Sequence, residues 1–388
     1  MRELHSILDV WRSLEDSNRN AVLATVVHVK GSAYRRPGAR MLILADGTRI
    51  GSISGGCLEG DVSRKAWWFT EGGRPSVRIY DTSSDEDALW EFGLGCNGVI
   101  QVMLERVESD SARAALEFLD ACRASCRPAV MTTVIRTSES SEYQVGNRLF
   151  IDHAGGSSGE LKGSPLASGL QPYVDQTVRA RKSRLVHMAG CEVFVEWIGA
   201  PVPLIIFGAG HDAIPVVQIA RQLGWHVTVA DGRPSYATAA RFPAADCVVA
   251  MKAPDLLAGI DITPESVVVL MTHNFPQDAK LLRQILPARP RYLGLLGPKT
   301  RADSLFAELG VRPETVDAHA PVGLDIGADT PEGIALSIIA EIQAELAGRP
   351  GMKLRHRRDP IHAPAEEAGQ ENALPLPDPD LASCELAK

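Results

Sequence analysis

One short segment constrains the fold of this chain more than any other, the stretch LIIFGAGHDA at residues 204–213. An apolar run enters a Gly-x-Gly-x-x-Ala turn, and the pattern of residues 214–220 then predicts a helix. A second apolar run, residues 226–230, ends on Asp231, which lies 23 positions after the first glycine. This order of strand, glycine turn, helix, strand and acidic residue is the dinucleotide-binding fingerprint in its expected context. It predicts a Rossmann-like unit in which the amides of a helix N-terminus face a phosphate.

Composition excludes several classes of protein. A length of 388 residues predicts two domains and a tail. The net charge of -8, with no long Lys/Arg cluster, argues against a nucleic-acid partner. No apolar run approaches the roughly 18 residues that a membrane span needs, and the polar N-terminus does not resemble a signal peptide. Seven cysteines without zinc-type spacing favour reduced thiols. We therefore expect a cytoplasmic protein with no stable membrane insertion.

Residues 1–200 are predicted to form an N-terminal α+β domain. Apolar residues of the first twenty positions repeat with helical spacing, which predicts an opening amphipathic helix. A second helix is predicted at 111–124, and the proline-containing segment 199–203 is predicted to be a short rigid linker. Runs typical of strands lie at residues 21–29, 41–44, 77–80, 99–104, 130–135 and 191–197.

Residues 201–350 are predicted to form a Rossmann-like domain, so that the chain as a whole is of the α/β class. Alternation of strands and helices predicts a doubly wound parallel sheet. A final helix has Thr330 as its cap and Pro331 in its first turn, and Gly348 ends it. Residues 351–388 are rich in proline and acidic residues and are predicted to be a largely disordered tail. The predicted strands are 204–207, 227–230, 247–250, 267–271 and 292–295, with helices between them at 214–220, 277–286 and 301–309.

Polar loops follow three of these strands, and ligands of such sheets bind beyond the carboxyl ends of the strands. In the third of these loops, residues 294–301, backbone amides together with Lys299 or Arg301 would suit a phosphate. Each residue alone has a simpler explanation, such as helix capping for Thr272 or solvation for Lys299. Convergence of three polar loops on one sheet edge favours a ligand site. The candidate cofactor-binding residues of these loops are Gly208, Gly210, His211, Thr272, His273, Asn274, Gly297 and Lys299.

Asp231 and Arg233 complete the candidate cofactor site. Asp231 stands where an acidic residue accepts from a ribose hydroxyl in dinucleotide-binding folds. Arg233 would either favour an additional phosphate or form an ion pair with Asp231. The two residues therefore leave the preference between NAD and NADP open.

Two cysteines of the first domain lie between glycines. Cys57 belongs to GSISGGCLEGD at residues 51–61, and Cys96 to GLGCNG at residues 93–98. A helix predicted to begin near Leu58 would lower the pKa of the Cys57 thiol through its N-terminal dipole. A thiolate is a soft ligand and a nucleophile, suited to a metal or to sulfur exchange. The alternative for both residues is a small buried cysteine in a tight turn.

Together these segments resemble the XdhC/CoxI family of molybdenum-enzyme accessory proteins. The resemblance covers about residues 5–362. It departs from the family pattern at Pro298, where a small polar residue is expected, and at Tyr34, where a proline-containing variant is commoner. The segments that carry it are GSAYRRPGARM, GSISGGCLEGDV, FGLGCNGVIQVMLE, FGAGHDAIPVVQIARQLGWHVTVADGR, RFPAAD, MTHNFPQDAKLL, YLGLLGPKTR and GLDIGADTPEGIALSIIAEI.

The resemblance implies a maturation factor for a xanthine dehydrogenase-like or CO dehydrogenase-like molybdenum hydroxylase. Such a factor binds molybdenum cofactor, as molybdopterin or its cytidine dinucleotide form, and holds it while a cysteine desulfurase installs the terminal sulfido ligand. It then inserts the cofactor into the apo-hydroxylase. Under this interpretation Cys57 is a candidate contact for molybdenum or sulfur, with Cys96 as a second candidate. We also expect a homodimer.

The alternative is an enzyme, an NAD(P)-dependent oxidoreductase that uses the Rossmann-like domain, with His211 or His273 as proton donor. No pairing of residues in the sequence marks a hydride-transfer site, and the first domain would have no role in such an enzyme. The chain also lacks a cysteine cluster with iron–sulfur spacing, so a complete xanthine dehydrogenase is not expected. We therefore favour the accessory protein over the dehydrogenase.

Overall fold

The computed structural model describes residues 2–17, 20–31, 34–56, 58–81, 98–358 and 367–368. Among them, residues 3–200 form one compact unit and residues 201–358 form another. Cys57, Cys96 and most of the predicted tail at 351–388 lie outside the described residues. None of the helices within these ranges has the length and apolarity that a membrane span requires.

The first unit contains antiparallel sheets with helices packed on them, which confirms the predicted α+β architecture. One sheet has the strand order β3-β2-β1-β5-β4, and the second contains β9-β10-β6-β7-β8. The strands of the first sheet are β1 (Ala21–Gly31), β2 (Arg40–Leu44), β3 (Arg49–Gly51), β4 (Ser76–Asp81) and β5 (Gly98–Arg106). Those of the second are β6 (Ala129–Thr137), β7 (Arg148–Ile151), β8 (Ser157–Ser158), β9 (Arg184–Met188) and β10 (Cys191–Ile198). The helices are α1 (Arg2–Ser17), α2 (Glu59–Phe69), α3 (Asp110–Ser125) and α4 (Pro165–Ala180).

The two sheets of this unit share a buried core. Val27 and Met103 of the first sheet belong to one apolar cluster with Ile135 and Phe194 of the second. The opening helix was predicted from its apolar stripe, and Ile7 on that stripe is fully buried. Because α1 and α3 contribute to the same core, the helices cover apolar surface that the sheets would otherwise expose.

The second unit is a five-stranded parallel sheet in the order β13-β12-β11-β14-β15, which confirms the predicted Rossmann-like fold. Its strands are β11 (Pro203–Phe207), β12 (His226–Asp231), β13 (Cys247–Ala250), β14 (Val267–Leu270) and β15 (Tyr292–Leu295). Its helices are α5 (Ala213–Gln222), α6 (Phe275–Ile285), α7 (Lys299–Leu309) and α8 (Pro331–Leu346). A further two-residue strand, β16 (Glu367–Ala368), belongs to the first unit, where it pairs in parallel with β9.

The side chains of the central strand β11 pack against helices on both faces of the sheet. Successive side chains of a strand point to opposite faces, so Ile206 packs with the helices α5 and α8. Phe207 packs on the other face with α6 and α7. A strand buried on both sides is a continuous apolar run, which is what the sequence has before its glycine turn.

Candidate functional site

The candidate site lies where the strand order of the parallel sheet reverses. The chain passes from β11 to β12 on one side, and after β13 it crosses to β14 on the other side of β11. Ligands of open α/β sheets bind in the crevice at such a switch point, beyond the carboxyl ends of the strands. The glycine turn after β11 and residues 271–274 after β14 both leave the sheet there.

Gly208 brings these two loops into backbone contact. Its φ of +116° lies in the region that favours glycine. A Cβ built on it would lie 2.6 Å from the carbonyl carbon of Met271 and 2.9 Å from the nitrogen of Thr272. The Gly208 amide donates to the carbonyl oxygen of Ala230 at 2.8 Å. A side chain at this position would therefore force β11 and β14 apart at the switch point.

Asp231, at the end of β12, is hydrogen-bonded to the glycine turn. Its carboxylate is 3% exposed and accepts hydrogen bonds from the Ala209 amide at 2.8 Å and from the Arg233 amide at 2.8 Å. The Arg233 guanidinium donates to both oxygens, at 2.9 and 2.8 Å. Burial on its own raises the pKa of Asp231, but these hydrogen bonds outweigh burial and hold the pKa below its usual value. Both carboxylate oxygens are thus engaged by the chain itself.

Beyond Asp231 the end of β12 is cationic. The guanidinium of Arg233 lies 3.8 Å from the centre of the Tyr236 ring, and that of Arg241 lies 4.4 Å from it. Both distances are within the range of cation–π attraction. The Arg233 side chain is half exposed. Its guanidinium therefore contacts Asp231 and Tyr236 while remaining open to solvent.

Asp212 and His273 join the glycine turn to the loop after β14. Asp212 is the N-cap residue of α5, yet its side chain does not cap the helix. Its Oδ2 lies 2.7 Å from Nε2 of His273, which has a left-handed backbone with φ of +57°. His211, between the glycines and the helix, is exposed. The Asp212–His273 contact was not predicted, because the two residues are far apart in sequence and meet only through the strand order.

Hydrogen bonds also join the loop after β14 to the helices α6 and α7. Thr272 donates to Oδ1 of the buried Asp278 at 2.5 Å, and Arg301 donates to Oδ2 of Asp278 at 2.8 Å. Asn274 caps α6 by accepting from the Gln277 amide at 3.1 Å. Capping, the simpler explanation weighed for Thr272, therefore belongs to Asn274 instead.

The third loop leaves one candidate cation exposed. Gly297 has φ of +125° and turns the chain after β15, and Lys299 begins α7 with its side chain exposed. Arg301, the other candidate for a phosphate, is paired with Asp278. The three polar loops thus meet at one sheet edge, with Lys299 as the cation of the third loop that points to solvent.

In the first unit, a buried carboxylate organises the loop that precedes α2. Glu59 accepts from the Ser52 hydroxyl at 2.8 Å, the Ser54 amide at 2.8 Å and the Gly56 amide at 3.1 Å. Burial raises the pKa of Glu59, but the hydrogen bonds from Ser54 and Ser52 outweigh it and lower the pKa from 4.5 to about 2. The residues on both sides of Cys57 are held in this way, since the Leu58 amide donates to the Ser54 hydroxyl at 3.1 Å.

Glu59 was not predicted to be a functional residue. The available signal was a pair of serines followed by an acidic residue in the first turn of a predicted helix, where a carboxylate is stabilised by the helix dipole. Within the described part of the chain, no group of three or more His, Cys, Asp or Glu side chains is placed to hold a metal ion.

Comparison with known proteins identifies relatives along both units. The model of the XdhC and CoxI family matches residues 14–81, and the XdhC Rossmann domain matches residues 204–342. A protein of Bacillus subtilis (strain 168), named as a probable subunit of xanthine dehydrogenase, is 35% identical over 88% of this chain and 97% of its own length. The molybdenum cofactor insertion chaperone PaoD of Escherichia coli (strain K12) is 27% identical, over 84% of this chain and 83% of its own.

A solved structure is similar to most of the chain. It is the crystal structure of a protein from Bacillus halodurans described as a xanthine dehydrogenase, with a TM-score of 0.73 and 32% identity. The match covers 90% of this chain and 98% of that one. Since relatives above 30% identity match almost from end to end and the family models match within both units, the chain belongs to the XdhC and CoxI family.

Proposed function

We propose that this chain is a molybdenum cofactor maturation factor. It holds the cofactor while a cysteine desulfurase supplies the terminal sulfido ligand, and it inserts the cofactor into an apo-hydroxylase of the xanthine dehydrogenase or CO dehydrogenase type. The observation that carries this proposal is similarity over both units to a protein named as a molybdenum cofactor insertion chaperone. The relative named as part of a xanthine dehydrogenase supports the same class of partner.

The switch point is the proposed site for the phosphate-bearing part of this cargo. Helix α5 begins at Ala213 with no side-chain cap on its first amides, and amides at such a helix start are suited to phosphate. Gly208 lets the turn pass close to the backbone of the loop after β14, and the backbone at Gly210 is partly exposed, with His211 and His273 beside the turn. Lys299, which follows Gly297, supplies a cation. Asp231, Thr272 and Asn274 hold the loops in place, and Arg233 presents its guanidinium at the edge.

Cys57 is the proposed contact to the molybdenum or to the sulfur that is transferred, with Cys96 as a second candidate. The Glu59 network supports this assignment, because it fixes the amides of Gly56 and Leu58 on either side of Cys57. The cargo carries the redox metal, while the chain binds, orients and shields it. The proposal places the protein in the cytoplasm, as a homodimer, with molybdopterin or its cytidine dinucleotide form as cargo.

An NAD(P)-dependent oxidoreductase is the second candidate, favoured by the fingerprint and by the exposed guanidinium of Arg233. Ribose recognition by Asp231 would require its carboxylate to release Arg233 or the Ala209 amide, since both of its oxygens are engaged. That requirement makes NAD(H) the weaker ligand for this site.

The deciding experiment is purification of the full chain without oxygen from a host that makes molybdenum cofactor. We expect nearly one molybdenum and one oxidised pterin per chain. A Cys57→Ala variant should lose molybdenum or fail to activate the hydroxylase, whereas Cys247→Ala, which changes an exposed cysteine of the other unit, should behave as the parent. Tight NAD(H) binding without molybdenum or pterin would establish the oxidoreductase instead. Full loading and full activation by Cys57→Ala would remove Cys57 from the proposal.

A further inference from the structure

We infer that Asp212 sets the affinity of the glycine turn for anions: its carboxylate covers Gly210, and a ligand phosphate must displace it to reach the turn. The inference rests on the proposed function only in taking the ligand to carry a phosphate. It assigns to one residue the control of access to the site.

The Asp212 carboxylate occupies the space beside Gly210. A Cβ built on Gly210 would collide with Oδ1 of Asp212. In the dinucleotide-binding fingerprint, the second position is a glycine so that the phosphate can approach the backbone there. In this chain the space beside Gly210 holds a carboxylate oxygen from two residues further along. The protein therefore supplies its own anion where the ligand's anion is expected.

The Asp212 carboxylate contacts a residue of the opposite loop, His273. Asp212 makes no capping bond to α5, although Asp is among the residues that favour this position, and its Oδ2 lies instead against Nε2 of His273 at 2.7 Å. His273 belongs to the loop on the other side of the switch point. The Asp212–His273 contact thus spans the crevice between β11 and β14.

The loop that presents His273 is firmly held, whereas the ring itself is accessible. Thr272 bonds to Asp278 on one side, and Asn274 caps α6 on the other. The His273 side chain is 63% exposed and that of Asp212 is 18% exposed. Rotation of the Asp212 side chain away from the turn therefore needs no movement of either loop.

The arginines of the neighbouring elements do not offset the charge of Asp212. Arg233 is already paired with Asp231, and Arg301 with Asp278. A phosphate at Gly210 would meet a like charge within about 4 Å, a distance at which like charges repel one another even near a hydrated protein surface. We therefore expect the Asp212 charge to lower the affinity for a phosphate ligand by about tenfold.

Inorganic pyrophosphate is a suitable probe, and its affinity for the full chain is measured by calorimetry at fixed low ionic strength. Asp212→Asn keeps the shape of the side chain and removes its charge. We expect this variant to bind pyrophosphate about tenfold more tightly than the parent. The matched control is Asp261→Asn, which makes the same change of charge at an exposed residue before β14, at the opposite end of the sheet. Its affinity should stay within about twofold of the parent.

Displacement is observed directly by NMR of ¹³C-labelled histidine rings in the full chain. Saturating pyrophosphate should shift the His273 signals of the parent as the contact with Asp212 breaks. A His273→Asn variant assigns those signals.

The outcomes separate this inference from the proposed function. Equal affinities of Asp212→Asn and the parent, weaker binding by Asp212→Asn, no binding by either protein, or unmoved His273 signals at saturation would each overturn the inference. None of these results decides whether the chain carries molybdenum cofactor, which is decided by the molybdenum and pterin content of the same preparations. A parent protein without molybdenum or pterin, together with tighter pyrophosphate binding by Asp212→Asn, would overturn the proposed function and leave the inference standing.

Discussion

At the scale of single residues, Glu59 shows how a buried carboxylate can shape a loop. It is 7% exposed, and the groups facing it are N–H and O–H donors from residues 52–56. Hydrogen bonds to an ionised acceptor are stronger than those between neutral groups. The loop before α2 thus takes its form from an ionised Glu59.

Because the pKa of Glu59 is lowered, we predict that its contribution to the stability of the folded state depends on pH. Because the pKa falls from 4.5 to about 2 on folding, the ionised carboxylate stabilises the folded state above about pH 4.5. That contribution, up to about 3 kcal/mol, is lost as the pH falls from about 4.5 towards 2. A Glu59→Gln variant should unfold at lower urea concentration than the parent at pH 7, and the difference should shrink below pH 4.5.

Urea unfolding followed by tryptophan fluorescence tests this prediction at several pH values. Glu71→Gln, which alters an exposed carboxylate just after α2, is the matched control and should change the midpoint little. A constant difference between Glu59→Gln and the parent from pH 7 to pH 2.5 would show that Glu59 does not titrate as described.

At the scale of secondary-structure elements, buried ion pairs join the two sheets of the first unit. Arg40 of β2 donates to both oxygens of Glu196 of β10, at 2.8 and 2.5 Å. Arg148 of β7 donates to Glu105 of β5 at 2.6 Å. The side chains of both pairs are at most 6% exposed. Each pair links a strand of one sheet to a strand of the other and so favours one arrangement of the two.

The Arg40–Glu196 pair should behave as a unit under mutation. Arg40→Met leaves Glu196 buried and unpaired, which is expected to lower the free energy of unfolding by about 3–5 kcal/mol. The double variant Arg40→Met/Glu196→Leu should lose much less, because no charge remains buried. Arg35→Met, which removes a more exposed pair with Glu3, should cost less than about 1 kcal/mol. Additive losses in a double-mutant cycle would contradict this description.

How far the elements could be predicted depends on where they are buried. The strands of the parallel sheet were predicted correctly, because each is a largely apolar run of the kind found in parallel sheets, although the edge strand β13 is only partly buried. Helix α4 and the strands β3, β7, β8 and β9 were not predicted. Gly169 and Pro172 lie inside α4 and interrupt its helical pattern, although the helix has a good Ser164 cap. Strand β9 is only five residues long and has polar residues within it.

The candidate site was predictable only where its residues belong to a local motif. Gly208 and Asp231 were found from the fingerprint because their spacing is fixed by one strand–turn–helix–strand unit. Asp212 and His273 are 61 residues apart, and Arg40 and Glu196 are 156 apart. Contacts of this kind depend on strand order and on how sheets pack, which no local pattern specifies. The roles assigned to Cys57 and Cys96 stay predictions.

At the scale of the whole molecule, the second unit has its own apolar core on both faces of its sheet. Its sheet is covered on one face by α5 and α8 and on the other by α6 and α7, all from the same stretch of chain. The apolar clusters on both faces are built from residues between Val202 and Leu346. A unit of about 150 residues buries enough surface to fold alone.

A fragment of residues 201–358 should therefore fold cooperatively without the rest of the chain. We expect native-like circular dichroism, a single urea transition and dispersed amide signals in NMR. A fragment of residues 213–358, which begins after the glycine turn, is the control. It lacks β11, the central strand that pairs with both β12 and β14, and should stay unfolded. Failure of the longer fragment to fold would contradict this prediction. If it folds, its affinity for pyrophosphate should equal that of the full chain, because Asp212, His273 and the glycine turn all lie within it.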